Sequence, residues 1–288
     1  MECLPYHILV KIFSNLDTKS LVISSKVCQL WSELIKSSQD TMNCFNIKIT
    51  SNRSRQTITI LDELPCGRHR NLQIIDFCGD FIILKQLLSI HRMTLANIII
   101  VRPTLWQASI FTEAFSALRN LSELTLENCH LGECEKINKN VSGEIENFAK
   151  LRELRIINCN CEIFNLFIGV KNLSSLHVEY SYTFNPPENI TMKYLINLLR
   201  NSPNLDKLLL FGVTSFRENP FSDCFKFGFK LERMKIDVVE REYVSLKNVK
   251  KFLKDQKKSL KYLIFLTKPS DEIVEFIKSE LTLNKLVF

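Results

Sequence analysis

Ten cysteines and five histidines are the residues of this 288-residue sequence best suited to bind a metal or act as nucleophiles. Cys129-His130 with Cys134, and Cys159 with Cys161, bring soft donors close together. His7 lies near the start of the chain, and His69, His91, His130 and His177 show neither HExxH nor another zinc-like spacing. Cys129 and Cys159 each fall eight residues after a leucine that opens a recurring apolar pattern, so both read as small core residues. A cysteine nucleophile needs a thiol pKa lowered by a nearby base or a helix N-terminus, and no cysteine is singled out in that way. The seven glycines form neither GxGxxG nor a P-loop, which leaves no phosphate cradle. No catalytic residue, metal or cofactor is expected.

Charge is concentrated in one stretch. Between Arg241 and Lys268 nine basic residues face only Glu242 and Asp255, which accounts for the whole net charge of +7. Lys247 to Lys261 has helical periodicity, with Val249, Phe252 and Leu253 as the inward stripe and the lysines outside. The simplest reading is a solvated outer face. The other is contact with an acidic partner or a nucleic-acid backbone, which would be blind to sequence. Nucleic acid is the weaker of these, because no aromatics are interleaved with the lysines to stack on bases.

The elements that position these residues come from a repeat. An apolar pattern with gaps of two residues and then one recurs as Leu72-Ile75-Phe77, Leu95-Ile98-Ile100, Leu121-Leu124-Leu126, Leu151-Leu154-Ile156, Leu173-Leu176-Val178, Leu205-Leu208-Leu210, Leu231-Met234-Ile236, Leu260-Leu263-Phe265 and Leu283-Leu286-Phe288. The mean step is about 26 residues, in or near the period of leucine-rich repeats. Alternation makes each short segment a strand, and helical periodicity predicts helices over 83–93, 109–118, 145–151, 192–199, 249–253 and 273–281. Such units cannot stand alone, so they stack into a curved solenoid with strands on the concave side. The Asn or Cys turn position is filled by Cys129 and Cys159 but not in copies carrying Asp80, Pro103, Val213 and Val239, which leaves their turns in question. Residues 41–71 read as an irregular leading repeat or connector: Phe45, Ile47, Ile49, Ile58 and Ile60 alternate like strands around a polar turn, Ser51 to Gln56. Phe288 ends the sequence in mid-repeat, so either the last strand is its own cap or more chain follows.

Ahead of the repeats, Leu4, Ile8, Leu9, Ile12, Phe13 and Leu16 recur at helical intervals, with Pro5 suited to the first turn. Asp17 or Thr18 can cap a second helix through Val27, and Cys28 to Ser38 reads as a third. About forty residues make only a marginal core, so such a module needs a neighbour or partner over its apolar face. The order Leu4-Pro5, Ile8-Leu9, Ile12-Phe13, Leu16-Asp17, Leu21, Val27-Cys28 and Trp31 resembles the F-box. The expected organisation is a three-helix F-box at 1–40 and an α/β leucine-rich-repeat solenoid at 72–288.

An F-box followed by degenerate leucine-rich repeats resembles the substrate receptors of the Skp, cullin and F-box ubiquitin ligases. That resemblance implies a non-enzymatic subunit. Leu4, Pro5, Ile8, Leu9, Ile12, Phe13, Leu16, Leu21, Val27 and Trp31 would serve a Skp-type adaptor and, through it, a cullin, while the repeats hold a substrate protein. The competing expectation is a leucine-rich scaffold, associated with nucleic acid through the basic helix, that ubiquitinates nothing. Strand alternation maps the concave face. Its middle is largely acidic, with Glu123, Thr125, Glu127, Glu153, Arg155, Ile157, Ser175, His177 and Glu179. Its C-terminal part presents Lys207, Leu209, Phe211, Arg233, Lys235, Asp237, Tyr262, Ile264 and Leu266. Apolar and aromatic side chains beside Arg and Lys are hot-spot chemistry, so these residues, apart from Asp237, are the expected substrate contacts. Scattered cysteines, the lack of a secretory signal and the lack of about 18 consecutive apolar residues point to a reduced cytoplasmic or nuclear setting away from membranes.

Overall fold

The computed structural model describes residues 4–16, 18–38, 46–50, 70–77, 81–103, 111, 114–115, 118–130, 148–181, 195–211, 229–236, 246–266 and 268–287. Asp17, the turn at 51–56, Ile58, Ile60, His69, Asp80, Cys134, Val213, Asp237, Val239 and Phe288, named above, lie outside the described residues.

Three short helices open the chain: α1 (Tyr6–Phe13), α2 (Thr18–Ser25) and α3 (Gln29–Ser37). Pro5 stands one position earlier than expected, as an extended N-cap with φ −56° and ψ 144°. Its carbonyl accepts the Ile8 and Leu9 N–H groups at 3.0 and 3.2 Å, so the ring sits where no backbone donor is needed. Leu9, Phe13, Leu21, Leu34 and Ile35 form a small core of their own, joined at its edge by Leu16, Val22 and Trp31. Trp31 meets Phe13 edge to face at 5.2 Å.

Ten parallel strands follow in one sheet, ordered as in the sequence. They are β1 (Asn46–Thr50), β2 (Asn71–Ile75), β3 (Asn97–Val101), β4 (Glu123–Glu127), β5 (Glu153–Ile157), β6 (Ser175–Glu179), β7 (Lys207–Phe211), β8 (Arg233–Ile236), β9 (Tyr262–Phe265) and β10 (Lys285–Val287). Parallel neighbours need a crossover after every strand, and among the described residues helical segments lie in several of these crossovers. These include α4 (Phe81–Ile90), helical residues at 111, 114–115 and 195–200, α5 (Leu246–Asp255) and α6 (Asp271–Glu280). Asp271 and Glu272 at the start of α6 and Lys278 near its end complement the helix dipole. One core runs the length of the sheet, from Ile49 to Ile277. Within β2 to β9 alternate residues are buried, as in the pair Leu124 and Leu126.

Three expectations need correction. Leu72 pairs with Ile98, which pairs with Leu124, so Leu72 is the second apolar position of its repeat and not the first. Ile74, fully buried, is the third, whereas the pattern alone makes Ile75 the second position and Phe77 the third. The sequence there is rich in isoleucine, and several phases fit equally well. The turn position of that repeat is consequently Phe77, in line with Pro103, Cys129 and Cys159, and all four are buried. Turn geometry is also less degenerate than the residue types suggested: Asp76, Arg102, Asn128 and Asn158, each one residue earlier, share φ values of 47° to 51°. Lastly, residues 161–167 form a 3-10 helix that periodicity did not reveal, burying Ile163, Phe164, Leu166 and Phe167. This is the shortest repeat, with 22 residues from Leu151 to Leu173, and little chain is left for a full α-helix.

Candidate functional site

Among its described residues the helical module leaves seven large apolar residues exposed, Leu4, Tyr6, Ile8, Ile12, Ile23, Val27 and Leu30, against five buried in its core. Of the ten residues expected to meet an adaptor, Leu9, Phe13 and Leu21 are instead internal, because the helices have little else with which to pack against one another. Leu16 and Trp31 are half-buried at the rim. Leu4, Pro5, Ile8, Ile12 and Val27 remain exposed, with Val27 at 60% and Leu4 at 54%. Ile8 and Ile12 are four apart and therefore form one stripe of α1, while Leu9 and Phe13 form the inward one. Tyr6, Ile23 and Leu30 are also exposed, and the sequence reading missed them. The signal available was the doubled stripe: a helix apolar on two sides has a second face to cover.

The concave sheet is laid out in rows by its register. The first row runs Asn71, Asn97, Glu123, Glu153, Ser175, Lys207, Arg233, Tyr262 and Lys285. Glu123 lies directly opposite Glu153, and Lys207 directly opposite Arg233. In the next row Arg155, His177, Leu209, Lys235, Ile264 and Val287 are successive neighbours. Seven of the eight expected substrate contacts thus share one face of the strands, Lys207, Leu209, Phe211, Lys235, Tyr262 and Ile264 half-buried and Arg233 exposed, and the eighth, half-buried Leu266, follows the end of β9. The Arg233 guanidinium lies over the Tyr262 ring, 4.8 Å from its centre. Val287 extends this apolar surface.

A second apolar spot, which the sequence reading did not single out, is Ile99, 40% exposed on β3. It lines a groove of about 350 Å³ with Gln73, Thr125, Glu123, Glu153 and Arg155. Nearby, His177 lies 3.0 Å from Glu179. Burial pushes the imidazole below its ordinary pKa, against the opposing pull of Glu179 and with Arg155 and Lys235 adding to the lowering.

Cys129 and Cys159 are buried and hydrogen-bonded to each other, whereas Cys28 is exposed. The Cys129 N–H donates to the Cys159 sulfur at 3.4 Å, and the two thiols donate to the Ile100 and Leu126 carbonyls. Its hydrogen bond with Cys159, together with burial, pushes the Cys129 thiol well above the ordinary range. Among the described residues no three His, Cys, Asp or Glu side chains cluster as a metal site would require. None of the described helices is long and apolar enough to cross a membrane.

Charges are handled differently on the two sides of the sheet. On the helical side Lys250 pairs with Glu272, Lys257 with Glu280 at 3.3 Å and Lys268 with Asp271 at 3.7 Å. Within the basic helix itself Lys250 is thereby paired, while Lys257 and Lys268 are paired beyond its end. On the concave side Glu123, Glu153, Lys207 and Lys235 take part in no ion pair among the described residues.

The F-box domain family matches residues 1–41. A crystal structure of a protein from Bacteroides fragilis is similar in fold, with a TM-score of 0.53 and 14% identity, covering 85% of this chain and 74% of that one. The crystal structure of the Rad7 and Elc1 complex in yeast aligns over 96% of this chain and 73% of that one, at 17% identity and a TM-score of 0.41. No curated protein matches the sequence. Residues 1–41 thus match the F-box domain family, and the parallel strands that follow form, among the described residues, a solenoid of the leucine-rich-repeat kind.

Proposed function

We propose that this chain is the substrate-recognition subunit of a Skp, cullin and F-box type ubiquitin ligase. The observation that carries the reading is the matched F-box at residues 1–41, whose apolar residues Leu4, Ile8, Ile12 and Val27 are exposed outside its own core. Burying a side chain of that size contributes about 1.5 to 3 kcal/mol, so an adaptor covering four of them gains considerable affinity. The repeat sheet offers the other half of the function: unpaired charge and aromatic surface on its concave face, near Phe211, Arg233 and Tyr262. The chain contributes no reacting group. It brings a bound substrate close to a conjugating enzyme held elsewhere in the complex, and proximity supplies the rate.

The test is reconstitution. The full chain is mixed with a Skp-type adaptor and cullin, the complex is isolated, and proteins retained by the repeats are assayed for ubiquitin transfer. Co-purification with both subunits and transfer that requires the F-box support the reading. Adaptor binding without any transfer would instead favour a leucine-rich scaffold.

A further inference from the structure

We infer that the concave face holds one extended segment of a partner protein carrying a Lys or Arg and an anionic side chain four residues apart, the cation over Glu123 and Glu153 and the anion over Lys207 and Arg233. This deepens the proposed function, since it rests on the reading of the sheet as the substrate face.

Four observations lead to it. Glu123 and Glu153 face each other directly across neighbouring strands, an arrangement that costs stability unless something positive lies over it. Lys207 and Arg233 repeat the arrangement with opposite sign, two strands further on. Neither the two glutamates nor Lys207 has an ion-pair partner among the described residues, whereas lysines on the helical side do. A groove opens beside the acidic pair, floored by the exposed Ile99, with room for the aliphatic stem of a long cationic side chain. Arg155 lies in the following row, opposite Thr125 and His177, so the site for a cation is confined to the first row.

Register then fixes the spacing. The midpoint of the acidic pair lies between β4 and β5, and that of the basic pair between β7 and β8, three strand intervals away. At the usual strand separation this is about 14 Å, which an extended segment laid across the strands covers in about four residues at ~3.4 Å each. Because side chains alternate, residues i and i+4 of that segment both point at the sheet, as does i+2, which then lies over Ser175. An odd separation would turn one of the two charges away. The anion can be a carboxylate or a phosphoryl group, as both suit the Arg233 and Lys207 pair.

The experiment uses the full chain and a set of labelled, otherwise uncharged peptides of Val, Ser and Thr. Each carries one Lys and one Glu, in either order, at every separation from adjacent to about twice the four residues implied by the register. A parallel set has phosphoserine in place of Glu. The expected result is a binding maximum at separation four in one order, at least tenfold above separations three and five, and lost in Glu123→Lys with Glu153→Lys. A peptide with Glu in place of that Lys should bind this charge-reversed variant, which shows that it is folded. Comparison of the two sets tells which anion is preferred. Binding that needs Phe211 and Tyr262 but ignores separation and the two glutamates would overturn this inference while leaving the receptor reading intact. Absence of binding at every separation would overturn it as well.

Discussion

Arg233 holds its guanidinium 4.8 Å from the centre of the Tyr262 ring, and the two are register partners on β8 and β9. At a largely exposed site such a contact contributes about 0.5 to 1 kcal/mol. Its larger consequence is order, because side chains already fixed lose less freedom when a partner docks. Tyr262→Leu should therefore weaken substrate capture although it keeps an apolar side chain, and Arg233→Glu should weaken it more. The Arg233→Glu loss should shrink as salt is raised, since exposed charges are screened beyond about 8 to 10 Å. Lys250→Glu, on the helical side, serves as the control. Quantitative pull-downs in which Lys250→Glu loses substrate while Tyr262→Leu keeps it would place recognition on the basic helix.

The repeat turns make a prediction about backbone. Asp76, Arg102, Asn128 and Asn158 all adopt the left-handed conformation, and each donates its N–H to the next coil, as Asn128 does to the Ile157 carbonyl at 2.8 Å. Non-glycine residues pay roughly 1 to 2 kcal/mol there, least for Asn and Asp and most for β-branched residues. Asn128→Val should lower the melting temperature clearly, whereas Asn128→Gly should leave it unchanged or raise it slightly. Equal melts for both variants would mean that the turn conformation is not maintained in solution.

Strand alternation predicts the contrast between Leu124 and its neighbour. Leu124 is 1% exposed, in the stacked core, so Leu124→Asp buries a carboxylate with no partner and costs several kcal/mol, enough to unfold neighbouring repeats. Glu123 points to the concave surface opposite Glu153, and Glu123→Gln should raise stability by about 0.2 to 1 kcal/mol by removing like-charge repulsion. Thermal melts followed by circular dichroism separate these outcomes. A stable Leu124→Asp variant would contradict the register.

What could be read in the sequence followed from how strictly each feature constrains residue types. Positions stacked between coils admit only large apolar side chains, mostly leucine, so Leu121 to Phe265 betrayed both period and phase. Around Leu72, Ile74 and Ile75 the phase was lost, because adjacent isoleucines satisfy a strand in either register. The 3-10 segment at 161–167 escaped detection because its buried Ile163, Phe164, Leu166 and Phe167, although spaced i, i+3 and i+4, span little more than one turn, too short a run to stand out as a helix. Pairing of Glu123 with Glu153, or Arg233 with Tyr262, depends on which strands are neighbours, and only the order of the sheet supplies that.

His91 gives stability a pH dependence. It is 2% exposed, and burial pushes its pKa below the ordinary value of 6.5. The folded chain therefore binds fewer protons at this site than the unfolded chain once pH drops below about 6.5, so its contribution is complete above that pH and is lost as pH falls toward the lower folded value. Each such proton contributes at most about 1.4 kcal/mol per pH unit. Denaturant titrations should find the wild type losing stability across this window and His91→Gln losing less. Parallel pH profiles for the two would show that His91 titrates normally in the fold.

The division of the F-box helices into an inner and an outer stripe can be tested one stripe at a time. Leu9 and Phe13 are buried with Leu21 and Trp31 packed around them, so Leu9→Ala should destabilise the module by about 2 to 5 kcal/mol and reduce adaptor binding through unfolding. Ile8 and Ile12 are exposed one turn apart on the other side of α1, and Ile8→Asp with Ile12→Asp should leave the fold intact. If the adaptor covers that stripe, the double variant forfeits about 1.5 to 3 kcal/mol at each position. Affinity for a Skp-type adaptor should then fall at least about a hundredfold. Calorimetric titration with purified adaptor, alongside a melt of each variant, distinguishes the two routes. Unchanged affinity in a folded Ile8→Asp, Ile12→Asp variant would mean that the adaptor docks elsewhere, with Tyr6, Ile23 and Leu30 the next surface to alter.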